Sequence, residues 1–137
     1  MVENRLTKVK NMKRLSDCEM LVMKCIWDAD KDLSVLEIKD ALKEKYGRDY
    51  ERTTICTFGT RLKEKGFVET YRKGHGFRYH PLVSKVDMRD MQMEEALEFW
   101  YENSPVKFME AFCGNIKMTA DEVKEIKNLI QRVEQQQ

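Results

Sequence analysis

The stretch of sequence that decides the fold covers residues 52–83 and reads RTTICTFGTRLKEKGFVETYRKGHGFRYHPLV. Its first part predicts an amphipathic helix over about 52–65, because apolar residues recur three and four positions apart: Ile55, Phe58 and Leu62. From Phe67 onward the period changes to two, and β-branched and aromatic residues alternate with polar ones. Turn-forming residues at 73–76 divide this part, so the stretch predicts a helix followed by a β-hairpin.

Two further helices precede this stretch, and each begins with the sequence pattern of a capping box. Ser16 is followed three residues later by Glu19, and Ser34 by Glu37, so that side chain and backbone can cap one another in each pair. The order helix, helix, helix, hairpin over residues 15–83 is that of a winged helix-turn-helix. The predicted fold class is therefore mostly α with a small β-hairpin, an α+β protein with a winged helix-turn-helix followed by a helical dimerisation region.

The two ends of this winged-helix region carry weaker patterns. The basic segment before Leu15 has no clear periodicity, and we expect it to be disordered. Proline cannot donate a hydrogen bond to a neighbouring strand, so Pro81 is expected at the end of an edge strand.

The polar face of the helix over 52–65 has the chemistry of a DNA-reading surface. Its predicted DNA-binding residues are Arg52, Thr53, Thr54, Thr57, Thr60 and Arg61. Hydroxyl and guanidinium groups bind base edges and phosphates, and threonine methyls pack on thymine methyls. Threonine is a mediocre helix former, so folding does not explain this density of threonine. An ordinary solvated polar face is the alternative interpretation.

The hairpin adds a basic tip, whose predicted DNA-binding residues are Arg72, Lys73, His75 and Arg78. Gly74 and Gly76 would let its backbone approach another surface closely. The start of the second helix at Ser34 offers backbone N–H groups that a phosphate could accept. These features predict double-stranded DNA as a partner, and a plain solvated hairpin is the alternative.

Residues 84–137 predict three more helices, over about 85–102, from Ser104 to near Gly114, and from Thr119 onward. In the last of them apolar residues repeat as in the seam of a coiled coil. The predicted dimerisation residues of this part are Leu97, Trp100, Met109, Phe112, Val123, Ile126, Ile130 and Val133. We therefore expect residues 1–83 to form a DNA-binding domain and residues 84–137 to form a homodimerisation domain.

Composition sets the outer bounds on function. The 137 residues suffice for one domain or two small ones, and 25 basic residues nearly balance 24 acidic ones. The balance hides an asymmetry, since residues 1–83 carry a net charge of +5 and residues 84–137 a net charge of −4. This division favours a polyanion partner for the first part, although solvated surfaces alone also produce such differences.

The sequence also predicts a cytoplasmic protein. No apolar run approaches the roughly 20 residues of a membrane span, so no membrane insertion is expected. The basic N-terminus is not followed by the apolar block of a secretory signal. The four cysteines form no CxxC pair, and we interpret them as reduced thiols of a cytoplasmic protein.

The sequence contains little that would indicate an enzyme. The two histidines, His75 and His80, lie on or beside the hairpin, and no HExxH, GxSxG or phosphate-binding glycine loop occurs. We expect no enzyme activity, no metal site and no cofactor. Cys56 lies near the predicted DNA-binding face, where a thiol could be reactive, or it is simply a small residue there.

Three segments resemble the penicillinase-repressor family of the BlaI and MecI type. These segments are Leu15–Glu19 with Ile26 and Trp27, then Thr54–Thr57 with Arg61–Gly66, and finally Tyr79–Val83. The resemblance covers about residues 15–135. It implies a dimeric winged-helix repressor that controls β-lactamase or β-lactam resistance genes. It also implies a protease partner, because a membrane sensor system triggers cleavage of family members.

The sequence departs from the family pattern at three places. Gly59 stands within the third helix where the family usually has a larger apolar residue, which predicts a locally weaker helix. The possible cleavage region holds Ala111-Phe112 in place of Asn-Phe. The CxC pair of the copper-responsive branch is absent, since Cys113 is the last cysteine. A metal-responsive repressor of the same superfamily and a winged-helix module that binds protein remain the alternative functions.

Overall fold

The computed structural model describes residues 4–137, which form two compact units divided between Met93 and Glu94. The elements of the first unit are α1 (Thr7–Lys10), α2 (Asp17–Asp28), β1 (Leu33–Ser34), α3 (Val35–Tyr46), α4 (Arg52–Glu64), β2 (Val68–Lys73) and β3 (Gly76–Pro81). Helix α5 (Lys85–Tyr101) begins in the first unit, and α6 (Pro105–Asn115) and α7 (Ala120–Gln135) belong to the second. The predicted mostly helical fold class with a winged helix-turn-helix is confirmed.

The ends of the helices follow the local sequence. Ser16, Ser34 and Thr119 each accept a hydrogen bond from the backbone N–H three residues later, and the Glu there caps in return. These reciprocal bonds satisfy backbone donors that have no partner inside the helix. Gly47 ends α3 in the left-handed conformation with φ of 64°, as a glycine C-cap requires.

The sheet contains one strand that sequence patterns did not predict. Strand β1 is only two residues long, and it pairs antiparallel with Tyr79 and Arg78 of β3. The strand order is β1-β3-β2, so β3 is the central strand and the expected edge position of Pro81 is wrong. Pro81 is tolerated because it lies beyond the residues that β1 pairs and opposite Val68 at the open end of the hairpin.

The hydrophobic core of the first unit lies where α2, α3 and α4 pack on the sheet. Its largest fully buried apolar side chains are Met23, Ile38, Leu42, Ile55, Leu62 and Phe67. The Trp27 indole N–H donates to the Val83 carbonyl at 2.8 Å and ties α2 to the end of the hairpin. Met88 and Met91 of α5 are also buried in this core, so the first unit extends past residue 83. The division of functions at residue 83 stays a prediction.

The N-terminal segment is ordered from residue 4 within the described chain, so the expected disorder is wrong. Leu6 and Val9 are buried, because the short helix α1 turns both toward the protein interior. Arg5 forms ion pairs with Asp87 and, at 2.9 Å, with Asp90 on α5. Two apolar anchors and a double ion pair therefore order a segment whose composition alone suggested a tail.

Gly59 has a packing role that explains its place inside α4. A Cβ atom at this position would lie 2.5 Å from the Tyr79 hydroxyl oxygen and 2.6 Å from its Cε1. The Tyr79 ring from the central strand therefore occupies the volume that a larger residue would take. The glycine weakens the helix locally, since glycine costs about 1 kcal/mol relative to alanine, but it permits close contact between helix and sheet.

We predict that Gly59→Ala destabilises the protein although alanine is the better helix former. Overpacking against Tyr79 costs about 1–3 kcal/mol, which outweighs the gain in helix propensity. In a Tyr79→Leu background the same change should become neutral or stabilising, because the ring is gone. Chemical denaturation of the four variants measures this coupling. A stabilising effect of Gly59→Ala in the parent protein would contradict the packing argument.

Candidate nucleic-acid interface

Helix α4 presents two opposite faces, as its sequence period predicted. Ile55, Phe58 and Leu62 are buried in the core. The predicted DNA-binding residues of α4 that are exposed are Arg52, Thr53, Thr57, Thr60 and Arg61, whereas Thr54 is half-buried. The exposed residues form one continuous polar surface along the helix, which we call the threonine face. Their role in binding DNA stays a prediction.

The hydroxyl groups of the threonine face are partly used within the helix. Thr57 donates to the Thr53 carbonyl at 3.1 Å, and Thr60 donates to the Cys56 carbonyl at 3.0 Å. Threonine commonly forms such a bond one turn back. In this state the two hydroxyl oxygens offer only acceptor lone pairs outward, beside their methyl groups. Acceptors suit the amino groups of adenine and cytosine, and methyls suit thymine.

Several basic side chains of α4 and the hairpin have no hydrogen bond or ion pair with any residue in the described range 4–137. These side chains are Arg52, Arg61, Arg72, Lys73 and His75. All of them are exposed, and the last three lie on the turn and adjoining ends of the hairpin. Unpaired arginine and lysine side chains provide the positive charge that binding to a phosphate backbone requires.

Arg78 is different from these free cations, because the protein already binds it. Its guanidinium donates to the Glu37 carboxylate and, at 3.3 Å, to the Asp32 carbonyl. Asp32 in turn accepts from the Tyr71 hydroxyl at 2.7 Å and contacts Nδ1 of His80 at 3.0 Å. The Tyr71 hydroxyl, followed by His80, lowers the pKa of Asp32. This network holds the base of the hairpin against the start of α3.

Ser34 is also engaged within the protein. Its N–H donates to Glu37 at 3.1 Å and its hydroxyl accepts from the Glu37 N–H at 3.2 Å. In the first turn of α3, the N–H groups of Val35 and Leu36 therefore remain available to donate hydrogen bonds to a phosphate. Ser34 positions that turn, and its predicted contact with DNA stays a prediction.

Glu37 is the acidic residue on which these contacts converge, and basic side chains already neutralise its charge. Lys31 lies 2.5 Å from its Oε2, while Arg78 and the Ser34 N–H bind its Oε1. Lys31 first, and then the Ser34 backbone, lower the pKa of Glu37 to about 2. The charge of Glu37 thus stabilises the fold, and its partners limit the repulsion that it would exert on a phosphate.

We predict a pH-dependent loss on Glu37→Gln. The folded pKa of about 2 lies below the ordinary value of 4.5, so the ionised form stabilises the folded state. This stabilisation is complete above about pH 4.5 and disappears as the pH falls through about 2. The variant should therefore be less stable than the parent at pH 7, and the difference should shrink below pH 4.5.

Urea denaturation across this pH range provides the measurement. Glu44→Gln is the matched control, since Glu44 is exposed on the same helix and pairs with no residue of the described chain. A constant difference between Glu37→Gln and the parent from pH 7 to pH 2 would refute the electrostatic role.

A cleft of about 600 Å³ opens beside the threonine face, between the start of α3, helix α4 and the hairpin. Its lining includes Cys56 and Lys63, which were not predicted as DNA-binding residues. Lys63 donates to the Thr70 hydroxyl at 3.1 Å across the cleft. The helical positions of Arg52, Cys56 and Lys63 on one flank could have been found from sequence, but the hairpin opposite them could not.

The second unit differs from the first because no residue of 94–137 is fully buried. Among the predicted dimerisation residues, Trp100, Ile130 and Val133 are exposed, and the half-buried ones are Leu97, Met109, Phe112, Val123 and Ile126. Phe99 is 74% exposed and Trp100 71%, and their rings meet edge to face at 4.7 Å. A dimer interface through these residues stays a prediction.

The possible cleavage region lies inside a helix. Ala111 and Phe112 are half-buried in α6, where the Ala111 carbonyl accepts from the Asn115 side chain at 2.7 Å. The Phe112 ring stacks on Phe108 with centroids 6.3 Å apart. A protease needs an extended backbone, so cutting here first requires local unfolding of α6.

Comparisons with known proteins place this geometry in context. A family model described as the penicillinase repressor matches residues 15–132. The methicillin resistance regulatory protein MecI of Mammaliicoccus sciuri is 26% identical over 86% of this chain and 94% of its own. The penicillinase repressor of Bacillus licheniformis is 24% identical over 90% of this chain and 94% of its own.

Two solved structures are also similar. The DNA-binding domain of the repressor BlaI covers 56% of this chain and 90% of its own, with 28% identity and a TM-score of 0.48. The complex structure of hsRosR-S4 covers 88% of this chain and 90% of its own, with a TM-score of 0.54. Its sequence identity of 16% indicates a shared fold alone. Within residues 4–137, no helix has both the length and the apolar character needed to cross a membrane.

Proposed function

The chain belongs to the penicillinase repressor family, and from this premise we propose that it is a dimeric, cytoplasmic repressor of transcription that binds a pseudo-palindromic DNA operator. DNA-binding transcriptional repression is the function of the family. The observation that carries the proposal for this chain is the threonine face of α4 with its unpaired cations. No folding requirement accounts for that combination.

In the proposed complex, α4 enters the major groove and the hairpin follows the backbone. The acceptor oxygens and methyls of Thr57 and Thr60 face base edges, and Arg61 reaches a guanine or a phosphate. Arg72 and Lys73 neutralise phosphates without reading sequence. Arg78 acts indirectly in this arrangement, because its bonds to Glu37 and Asp32 hold the hairpin in place.

The proposed dimer rests on the apolar surface of the second unit. A unit that buries no residue completely has little core of its own. Residues 94–137 also form a unit smaller than the roughly 60-residue domains that are already marginally stable alone. Helix α7 exposes Leu129, Ile130 and Val133 along one side. A second copy of this helix would cover that side as in a coiled coil. Two-fold symmetry would then place the two α4 helices at half-sites about 10 base pairs, or a multiple, apart.

Release from DNA through proteolysis follows from the same arrangement. A cut between the hairpin and α7 would leave each winged helix bound to one half-site only, and the avidity of the dimer would be lost. Family resemblance points to Ala111-Phe112 and to a protease of a membrane sensor system as the partner. The bonds of α6 around that peptide make its unfolding part of the proposed step.

We predict that Arg61→Ala weakens binding to the operator by about 1–3 kcal/mol if the guanidinium contacts a base. Fluorescence anisotropy with the upstream DNA of the chain's own gene and with a scrambled duplex measures both affinities. The loss should fall on the upstream duplex, because a base contact contributes to specificity. Equal affinity of parent and variant for both duplexes would remove Arg61 from the interface.

Arg72→Ala combined with Lys73→Ala is the contrasting variant in this experiment. It should weaken both duplexes alike and reduce the dependence of log affinity on log salt, because fewer counterions are released. Failure of the parent protein to bind any duplex would instead favour a winged-helix module that binds protein.

We predict that Ile126→Asp combined with Ile130→Asp yields a monomer. Two carboxylates in the apolar side of α7 cannot be buried against a second copy. Analytical ultracentrifugation measures the state of assembly, and operator affinity should fall with it. Gln131→Asp combined with Gln135→Asp is the matched control, since it adds the same charge at the same spacing on exposed polar positions of α7. A dimeric Ile126/Ile130 variant would place the interface elsewhere.

A further inference from the structure

We propose that Cys56 is a covalent sensor site: its thiol adds to conjugated carbonyl compounds that enter the cleft between α4 and the hairpin, and the adduct blocks DNA binding. The reactive site is argued from the cleft itself. Its effect on DNA rests on the proposed function, because it requires the threonine face to be the DNA-binding surface.

The cleft has the size and lining of a small-molecule site. Its volume of about 600 Å³ lies within the range of about 300–1,000 Å³ that ligand pockets occupy. Val35, Leu36 and Phe77 provide apolar surface. The basic residues of its lining are Arg52, Lys63 and His75, and no carboxylate belongs to the described lining. These walls favour a planar, polarised organic molecule over a cationic or strongly hydrated one.

Tyr79 belongs to the lining of this cleft and carries a hydroxyl group that can donate a hydrogen bond. Its side chain is only 7% exposed, and its hydroxyl oxygen lies beside Gly59, which also lines the cleft. No residue from 4 to 137 forms a hydrogen bond with this hydroxyl. Burial, together with neighbouring Cys56, raises the pKa of Tyr79, so the hydroxyl keeps its proton at neutral pH. An almost buried donor without a partner is available to a ligand carbonyl.

Cys56 is the cysteine that shares this environment. Cys25 is buried in the core and Cys18 contacts the Tyr50 hydroxyl at 3.2 Å, so both are engaged elsewhere. Cys113 is exposed in the second unit. Cys56 is half-buried on the flank of α4 that faces the cleft. Tyr79, which lines the same cleft, provides what an isolated thiol lacks, namely a donor that can polarise a bound carbonyl.

The proposed reaction is a conjugate addition that needs no oxidant or reductant. The Cys56 sulfur forms a bond to the β-carbon of an α,β-unsaturated carbonyl compound, and the carbon–carbon π bond breaks. Electron density moves to the carbonyl oxygen, where the Tyr79 hydroxyl donates a hydrogen bond. The proton lost from the thiol is balanced by a proton gained at the α-carbon when the enol becomes a ketone.

The adduct would lie at the edge of the threonine face. Thr60 belongs both to that face and to the lining of the cleft, and it bonds the Cys56 carbonyl. A molecule attached to Cys56 therefore extends toward the surface that DNA would cover. Bound DNA should in turn shield the thiol, because thermodynamic coupling between two sites is reciprocal.

The first experiment compares the reactivity of two cysteines in the full chain. Benzylideneacetone serves as the enone and iodoacetamide as a thiol reagent that reacts by substitution. Peptide mass spectrometry follows adduct formation at Cys56 and Cys113 in the same sample. The ratio of the enone rate to the iodoacetamide rate should be higher at Cys56. Equal ratios at both cysteines would overturn the proposed site.

Tyr79→Phe tests the positioning role of the hydroxyl. The enone rate at Cys56 should fall about fivefold, the effect of losing one hydrogen bond, while the iodoacetamide rate at Cys56 stays the same. An equal fall with both reagents would indicate a structural effect and contradict activation of the carbonyl. The ring is retained, so the contact with Gly59 is preserved.

The second experiment connects the site to DNA. Enone-treated parent protein should lose binding to a labelled duplex of about 30 base pairs, roughly three helical turns, whereas treated Cys56→Ser protein should keep it. The duplex should also protect Cys56, and not Cys113, from the enone. Unchanged affinity after modification of Cys56 would overturn the sensor. If the untreated protein binds no duplex, the proposed function fails, while the reactivity comparison still decides the chemistry of the cleft.

Discussion

The contact between Tyr79 and Gly59 is the constraint on which the rest of the first unit depends. A large ring on the central strand needs a residue without a side chain on α4, and the two surfaces then approach as closely as the backbone permits. This contact sets the distance between α4 and the hairpin. The same arrangement leaves the threonine face exposed on one side and a cleft beside it. The packing of Tyr79 against Gly59 thus determines the shape of the surface that is available for binding.

The charged side chains fall into two groups: those that form ion pairs stabilising the fold and those that have no partner in the described part of the chain. Glu19 is 1% exposed and pairs with Lys65 at 2.5 Å; burial raises its pKa, but Lys65 and the Ser16 backbone outweigh burial and lower it. Arg78 is held by the Glu37 carboxylate in a similar way. By contrast, Arg61 and Arg72 bind no partner among the described residues. The paired charges keep the free ones in place, which is why removing Arg78 and removing Arg72 should have different consequences.

The two units have different sources of stability. The first contains a contiguous core of helices and sheet, whereas the second has amphipathic helices without a fully buried residue. A unit of the second kind gains stability by covering its apolar side with another surface. Under the proposed function that surface is a second copy, so assembly and occupation of two half-sites are thermodynamically linked. Under the same proposal, one unit binds DNA and the other regulates that binding.

The sequence by itself determined the local elements and the polar faces. Capping boxes at Ser16 and Ser34, the period of α4 and the turn at Gly74 act between neighbouring residues, so their patterns were readable and the winged-helix order was confirmed. Only the tertiary structure decided the pairing of β1 with β3, the burial of Leu6 and Val9, and the capture of Arg78 by Glu37. It also revealed why Gly59 stands in a helix and placed Cys56 and Tyr79 in the lining of one cleft. These contacts join residues far apart in the chain, and their energies depend on a distance in space that no local period encodes.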